Sequence, residues 1–154
     1  MPSARLPSTS LPSPFGPLTV TEQGGLLTEL RWHGGAADRS AMLDTAVAQL
    51  GEYFAGQRQV FNLPLATGSG FPARFLQALI GIPFGETREY GQLARALGVP
   101  PQAIGQACGA NNLPILIPCH RVLAATGPGG YSGPGGVETK VALLRLEEAA
   151  GLLL

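Results

Sequence analysis

The 154-residue chain carries ten Lys/Arg and ten Asp/Glu, and its formal charge of zero excludes a protein whose affinity for nucleic acid or membrane comes from a broadly basic surface. No run approaches the roughly 18 apolar residues of a membrane span, and no charged segment followed by an apolar core marks a secretory leader, so neither is expected. Two cysteines and two histidines leave no disulfide framework and too few ligands for a Cys/His metal cluster, so no metal and a reducing, cytoplasmic setting are expected.

The length suits one domain or two small ones. Residues 1–14 hold four prolines and four serines without periodicity and predict a tail. Residues 17–23 and 26–32 predict a hairpin, with Gly24-Gly25 as its turn. Ser40 can cap a helix running to about Ala55; Leu43, Ala46, Val47, Leu50, Tyr53 and Phe54 share one face, and Gly56 stands where a helix-ending glycine belongs. Val60, Phe61, Leu63 and Leu65 predict a third short strand, and Thr67-Gly-Ser-Gly70 a linker. The expected architecture is therefore α+β. A small three-stranded antiparallel sheet with one helix (15–67, after the 1–14 tail) precedes a mostly helical half (68–154).

In that second half, Phe71–Ile80 reads as a helix with Phe71, Phe75, Leu76, Leu79 and Ile80 inward. Tyr90–Leu97 reads as a second helix stopped by Gly98, and Pro100-Pro101 begins a third through about Gly109. Helix, glycine turn, helix is the pattern of a helix-turn-helix. Asn111 follows at a turn position, and then comes Pro114-Ile-Leu-Ile-Pro118-Cys119-His120-Arg121-Val122. The apolar run looks strand-like, and Pro118 should end it at a bend that presents Cys119. Read alone, a cysteine beside Ile-Leu-Ile packs as a small apolar residue. Read with His120, it is a thiol beside a group able to take its proton. Gly127–Gly136, a glycine- and proline-rich loop bearing Tyr131 and Ser132, can wall a pocket or simply cross the surface. Val137 to about Ala149 predicts a last helix with Val137, Val141 and Leu144 on one face and Lys140 and Glu147 near it. Cys108 shares a helix with Ala103, Ile104 and Ala107 and reads as packing.

Asn111 with Pro114–Val122 resembles the active-site signature of the O6-alkylguanine-DNA alkyltransferases. Ile82-Pro-Phe-Gly-Glu-Thr-Arg-Glu-Tyr90-Gly-Gln-Leu-Ala94 and Tyr131-Ser132-Gly133 extend the likeness from about Phe71 to Glu147. The resemblance implies a ribonuclease-H-like domain over 15–67 and a DNA-binding, alkyl-accepting domain over 68–154. It implies a monomer without cofactor that binds duplex DNA containing O6-alkylguanine through the minor groove and flips the damaged base. Cys119 would accept the alkyl group once and irreversibly. His120 would serve as base through a water, Glu147 would orient it, and Asn111 would brace the turn. Tyr90 would donate to the flipped guanine. Tyr131, Ser132 and the carbonyls of Cys119 and Val122 would contact the base, and Gln102, Ala103 and Arg121 the DNA.

The residues suit that chemistry in their own right. Displacement at an sp³ carbon needs a soft nucleophile, guanine leaves more readily when a donor neutralises it, and a base within a duplex must be extruded first. Two departures stand out. Gln102 occupies the position where the family usually has an arginine, and the zinc ligands of some members' first domain are absent. Two other readings compete: a lesion-binding relative that recruits repair factors without transfer, and a Cys-His hydrolase needing an oxyanion hole.

Overall fold

The computed structural model describes residues 5–131, 133 and 135–148. The chain forms two compact units, Met1–Ala66 and Thr67–Leu154. Among the described residues, no helix is long and apolar enough to cross a membrane.

The first unit is a three-stranded antiparallel sheet in the order β1 (Ser8–Leu11), β2 (Leu18–Gln23), β3 (Leu26–Arg31), with helix α1 (Ala41–Phe54) packed on β1 and β2. Gly24 and Gly25 both adopt positive φ, 61° and 81°, the geometry whose twist matches a two-residue hairpin. The register sets Val20 opposite Leu30 and Gln23 opposite Leu26, with a bulge at Thr21/Glu22. Ser40 is extended and its hydroxyl accepts from the Leu43 amide at 3.0 Å, capping α1 as expected. Leu43, Ala46, Leu50 and Tyr53 join Leu18, Val20, Leu27 and Leu30 in a closed core.

Two expectations are corrected here. The supposed tail contains β1: Thr9 pairs with Val20 and Leu11 with Leu18, and both Thr9 and Leu11 are buried. Ser10 shares a hydrogen bond with Thr19 at 2.7 Å and donates its amide to Ala36 at 2.9 Å. The strand is thus fixed by partners on both sides rather than by its own composition. The strand expected over 60–65 does not form. Val60 is 72% exposed, and only Leu65 bridges, to Leu27. The backbone there is instead tied by Gln49, whose amide donates to the Asn62 carbonyl and accepts from its N–H. The three-stranded sheet is real, but its third strand is the first in the chain.

The second unit contains α2 (Gly70–Ile80), β4 (Arg88–Glu89), α3 (Tyr90–Leu97), α4 (Pro101–Gly109), a 3-10 turn at Cys119–Arg121, β5 (Val122–Leu123) and α5 (Val137–Leu146). Phe75 and Leu79 of α2 are buried, whereas Ile80, expected inward, is 40% exposed at the helix end. A capping box starts α3: the Glu89 N–H donates to the Gln92 side chain at 2.7 Å. Gly98 ends α3 in the left-handed region at φ 71°, and Pro101 opens α4. The helix-turn-helix is therefore built as read. β4 and β5 pair in parallel, Arg88 with Val122 and Glu89 with Leu123. This two-residue ladder sets the start of α3 beside the end of the cysteine turn. On α5 the inward face is Thr139, Lys140, Leu143 and Leu144, not the expected Val137/Val141/Leu144 stripe, and Val137 is 43% exposed.

Candidate active site

The run from Pro114 to Pro118 is not a strand but a succession of tight turns. The Ile117 N–H reaches the Leu113 carbonyl, and the Leu116 N–H reaches that of Pro114, each at 2.8 Å. Ile115 adopts φ 73°, a strained value for a β-branched residue, and is fully enclosed. Pro118 sits at φ −81°, ψ 66°, the inverse γ-turn, closed by the Cys119 N–H on the Ile117 carbonyl at 2.8 Å. The chain then winds through the 3-10 turn of Cys119–Arg121. Asn111 holds this path: its carbonyl accepts from the Leu113 N–H and its amide donates to the Ile117 carbonyl, both at 2.9 Å.

Beside Cys119 lies a cavity of about 310 Å³, lined by Tyr90, Gly105, Cys108, Gly109, Cys119, Gly130 and Tyr131. Tyr90, Cys119 and Tyr131, singled out in the sequence, thus meet in one pocket. Burial pushes the Cys119 thiol above its usual pKa; the Asn111 amide and the Lys140 charge oppose this without reversing it. At rest the group is a thiol. Burial, with the two cysteines, also raises the Tyr90 phenol, and burial with Cys119 raises that of Tyr131, so both keep their protons. Gly129, at φ 78°, backs Tyr90: a Cβ there would lie 3.0 Å from the ring.

His120 is enclosed completely. Its Nε2 lies 2.7 Å from Glu147 Oε2, while Nδ1 is buried and unpaired. Burial holds the imidazole below its ordinary pKa, outweighing the Glu147 carboxylate. Burial disfavours the Glu147 charge, but hydrogen bonds and attraction from His120 and Arg121 outweigh that and hold its pKa at about 2. A carboxylate beside Nε2 requires the proton on that nitrogen. The neutral ring therefore keeps its lone pair on Nδ1, the arrangement of a base awaiting a proton.

Arg121, expected on the DNA, is placed elsewhere. Its side chain is buried, with Nε 2.8 Å from Glu147 Oε1, Nη2 3.0 Å from Oε2 and Nη1 2.6 Å from the Ile82 carbonyl. A guanidinium enclosed this way cannot reach a phosphate; it anchors the carboxylate that serves His120 and ties in the Ile82–Gly85 bend. Its charge also stands 5.8 Å over the Phe84 ring. Gln102 is exposed on the first turn of α4 and Ala103 half-buried beside it. Ser132 lies outside the described residues.

Sequence reading missed the role of Lys140. It is buried, and its ammonium donates to the carbonyls of Val122 at 2.5 Å and Gly130 at 3.1 Å, 5.7 Å over the Tyr90 ring. One cation thus clips the glycine-rich loop to the strand after the cysteine. The Val122 carbonyl, expected to receive the base's amine, already serves Lys140 and offers only its second lone pair. The signal available was a lysine at helical spacing from Leu144 and Glu147.

Residues 70–149 match the family model for the 6-O-methylguanine DNA methyltransferase DNA binding domain, and residues 8–67 that for its ribonuclease-like domain. A methylated-DNA–protein-cysteine methyltransferase of Mycobacterium tuberculosis is 40% identical over 152 residues, spanning 91% of each chain. The constitutive protein of that name from Bacillus subtilis is 37% identical over 155 residues, 90% of this chain and 93% of its own. Crystal structures of M. tuberculosis O6-methylguanine methyltransferase and of M. tuberculosis OGT in complex with DNA superpose with TM-scores of 0.81 and 0.78. Their identities are 38% and 39%; each covers 94% of this chain, and the match spans 93% and 96% of theirs.

Proposed function

This chain belongs to the 6-O-methylguanine DNA methyltransferase family, and from that premise we propose that it repairs duplex DNA by moving the alkyl group of O6-alkylguanine onto Cys119. What supports the assignment is a thiol lining a cavity, followed directly in the chain by a buried histidine that is hydrogen-bonded to a buried carboxylate.

The helix-turn-helix of α3 and α4 engages the minor groove with Gln102 leading, and the damaged nucleotide turns out into the cavity. Glutamine is shorter and neutral where the family usually has arginine, yet it can still hydrogen-bond the orphaned partner base. A weakened pair costs less to open than an intact one, which favours the lesion. Tyr90 donates its phenolic proton to the ring nitrogen of guanine, so the leaving group departs neutral. Cys119 gives its proton, by way of a water, to His120 Nδ1, and Glu147 steadies the resulting imidazolium. The sulfur lone pair then forms the S–C bond as the C–O6 bond breaks, and those electrons return to the guanine. The products are a thioether and an unmodified base; solvent returns a proton to the Tyr90 phenolate as the imidazolium gives up the one it took from Cys119. No thiol is regenerated, so each chain acts once. It works as a monomer on DNA in the cytoplasm, and no step calls for a cofactor.

Incubation with a duplex containing O6-methylguanine, followed by proteolysis and mass spectrometry, tests this. One methyl per chain on the Cys119 peptide, absent in Cys119→Ser, is expected. Tight binding without mass gain would establish a lesion sensor instead, and turnover of an ester a hydrolase.

A further inference from the structure

Alkyl transfer uses one thiol, yet the cavity holds two. Cys108, on the last turn of α4, lines the same 310 Å³ space as Cys119, and both sulfurs are reduced. They are the only cysteines in the chain. Three of the other lining residues are glycines, and a methyl built on Gly105, Gly109 or Gly130 would touch nothing within 4 Å, so the cavity is open beside them. Among the described residues, no group of three or more His, Cys, Asp and Glu side chains could hold a metal ion, so the pair lacks the further donors of a tetrahedral zinc site. Burial keeps both thiols protonated, that of Cys108 pushed up to about 12, and a monovalent cation bound by two thiolates would leave net charge in an apolar pocket. The ligand class that suits two neutral thiols without a third donor is one that condenses with them and leaves no charge.

We propose that Cys108 and Cys119 form a dithiol site for trivalent arsenicals, R–As(OH)₂, inside the alkyl-acceptor cavity. Two As–S bonds form and two As–O bonds break. Each thiol proton leaves on a hydroxide as water, and arsenic stays trivalent, so neither oxidant nor reductant is required. The organic substituent lies between Tyr90 and Tyr131. An occupied site has no nucleophile, so arsenicals of this class block repair without touching DNA.

The test uses the full chain with phenylarsine oxide, which hydrates to the dihydroxy form. One equivalent is expected to lower the free-thiol count from two to none. Intact mass should show one phenylarsenic group per single chain. The adduct should survive a monothiol and be stripped by a dithiol. Cys108→Ser, checked for its thermal transition, should bind roughly 100-fold more weakly, because the second sulfur acts at high effective concentration. Consumption of one thiol only, one arsenic shared by two chains, or equal retention by Cys108→Ser would each overturn the site. So would equally tight binding by the chain unfolded in guanidinium chloride, since the pre-set cavity would then contribute nothing. The native-chain readouts stand even if the variant fails to fold, and none depends on alkyl transfer.

Discussion

Glu147→Gln isolates the role of a single charge. The amide keeps the carboxylate's shape, so packing is preserved, but Arg121 loses its counter-charge while remaining buried, with neutral acceptors alone, the Ile82 carbonyl and the new amide oxygen, facing it. Breaking a buried ion pair in this way costs about 3–5 kcal/mol. The same contacts, with His120 and Arg121, hold the Glu147 pKa at about 2, below its ordinary 4.5, on the order of 3 kcal/mol favouring the folded, ionised form. For a chain of this size the melting temperature should drop by roughly 10–15 °C. Thermal unfolding followed by circular dichroism measures it, and a double-mutant cycle assigns it. Arg121→Met removes the stranded cation, so the double variant should be about 2 kcal/mol more stable than the two single losses add up to. Single-turnover methyl transfer should slow by about 10²-fold or more, since His120 loses the group that fixes its tautomer. A loss below about 1 kcal/mol, or strictly additive losses, would refute the account of Glu147 as the hub between Arg121 and His120.

Other outcomes follow from the same geometry. His120 is held below its ordinary pKa of 6.5, so the unfolded chain binds that proton first; urea midpoints should be steady above pH 6.5 and decline below it. A second decline should run from 4.5 toward 2 as Glu147 protonates, and a flat profile between pH 7 and 5 would contradict the first assignment. Gln102→Arg should tighten binding to lesion-bearing duplex and speed transfer, measured by gel shift and single-turnover kinetics; no change in either would count against Gln102 as the residue that enters the stack. Gly129→Ala should cost about 1–3 kcal/mol through its positive φ and displace the Tyr90 ring, so stability and transfer rate should fall together. Ser40→Ala should cost about 1 kcal/mol in the first unit and leave the transfer rate alone, which calorimetry and the methylation assay can separate.

What could be read from the chain was local. Ser40 and Gly98 mark helix boundaries through chemistry confined to a few residues, and both lie where expected. β1 was hidden because Ser-Thr-Ser-Leu has little β signal of its own; its partners, Thr19 and Ala36, are distant in sequence. The Pro114–Pro118 run reads as strand-like because a continuous apolar run looks alike in buried strands and enclosed turns. Arg121 and Lys140 carry the most instructive difference. Charged side chains are almost never enclosed unless paired, so a cation reads as outward by default. The partners that bring these two inward stand 26 and 18 residues away, beyond any periodicity. The cysteine signature betrayed the chemistry; the electrostatics behind it emerge only when the chain is folded.

Ile115 carries one more consequence. A β-branched residue held at positive φ is a shape that an isolated peptide does not choose, so the surrounding fold must impose it. Grafting Pro114–Val122 onto another scaffold would copy the letters but lose the loop, and with it the position of the sulfur. Portability requires taking along Asn111 to fasten the turn, Lys140 to clip the far wall, and the Arg121–Glu147 pair beneath the imidazole.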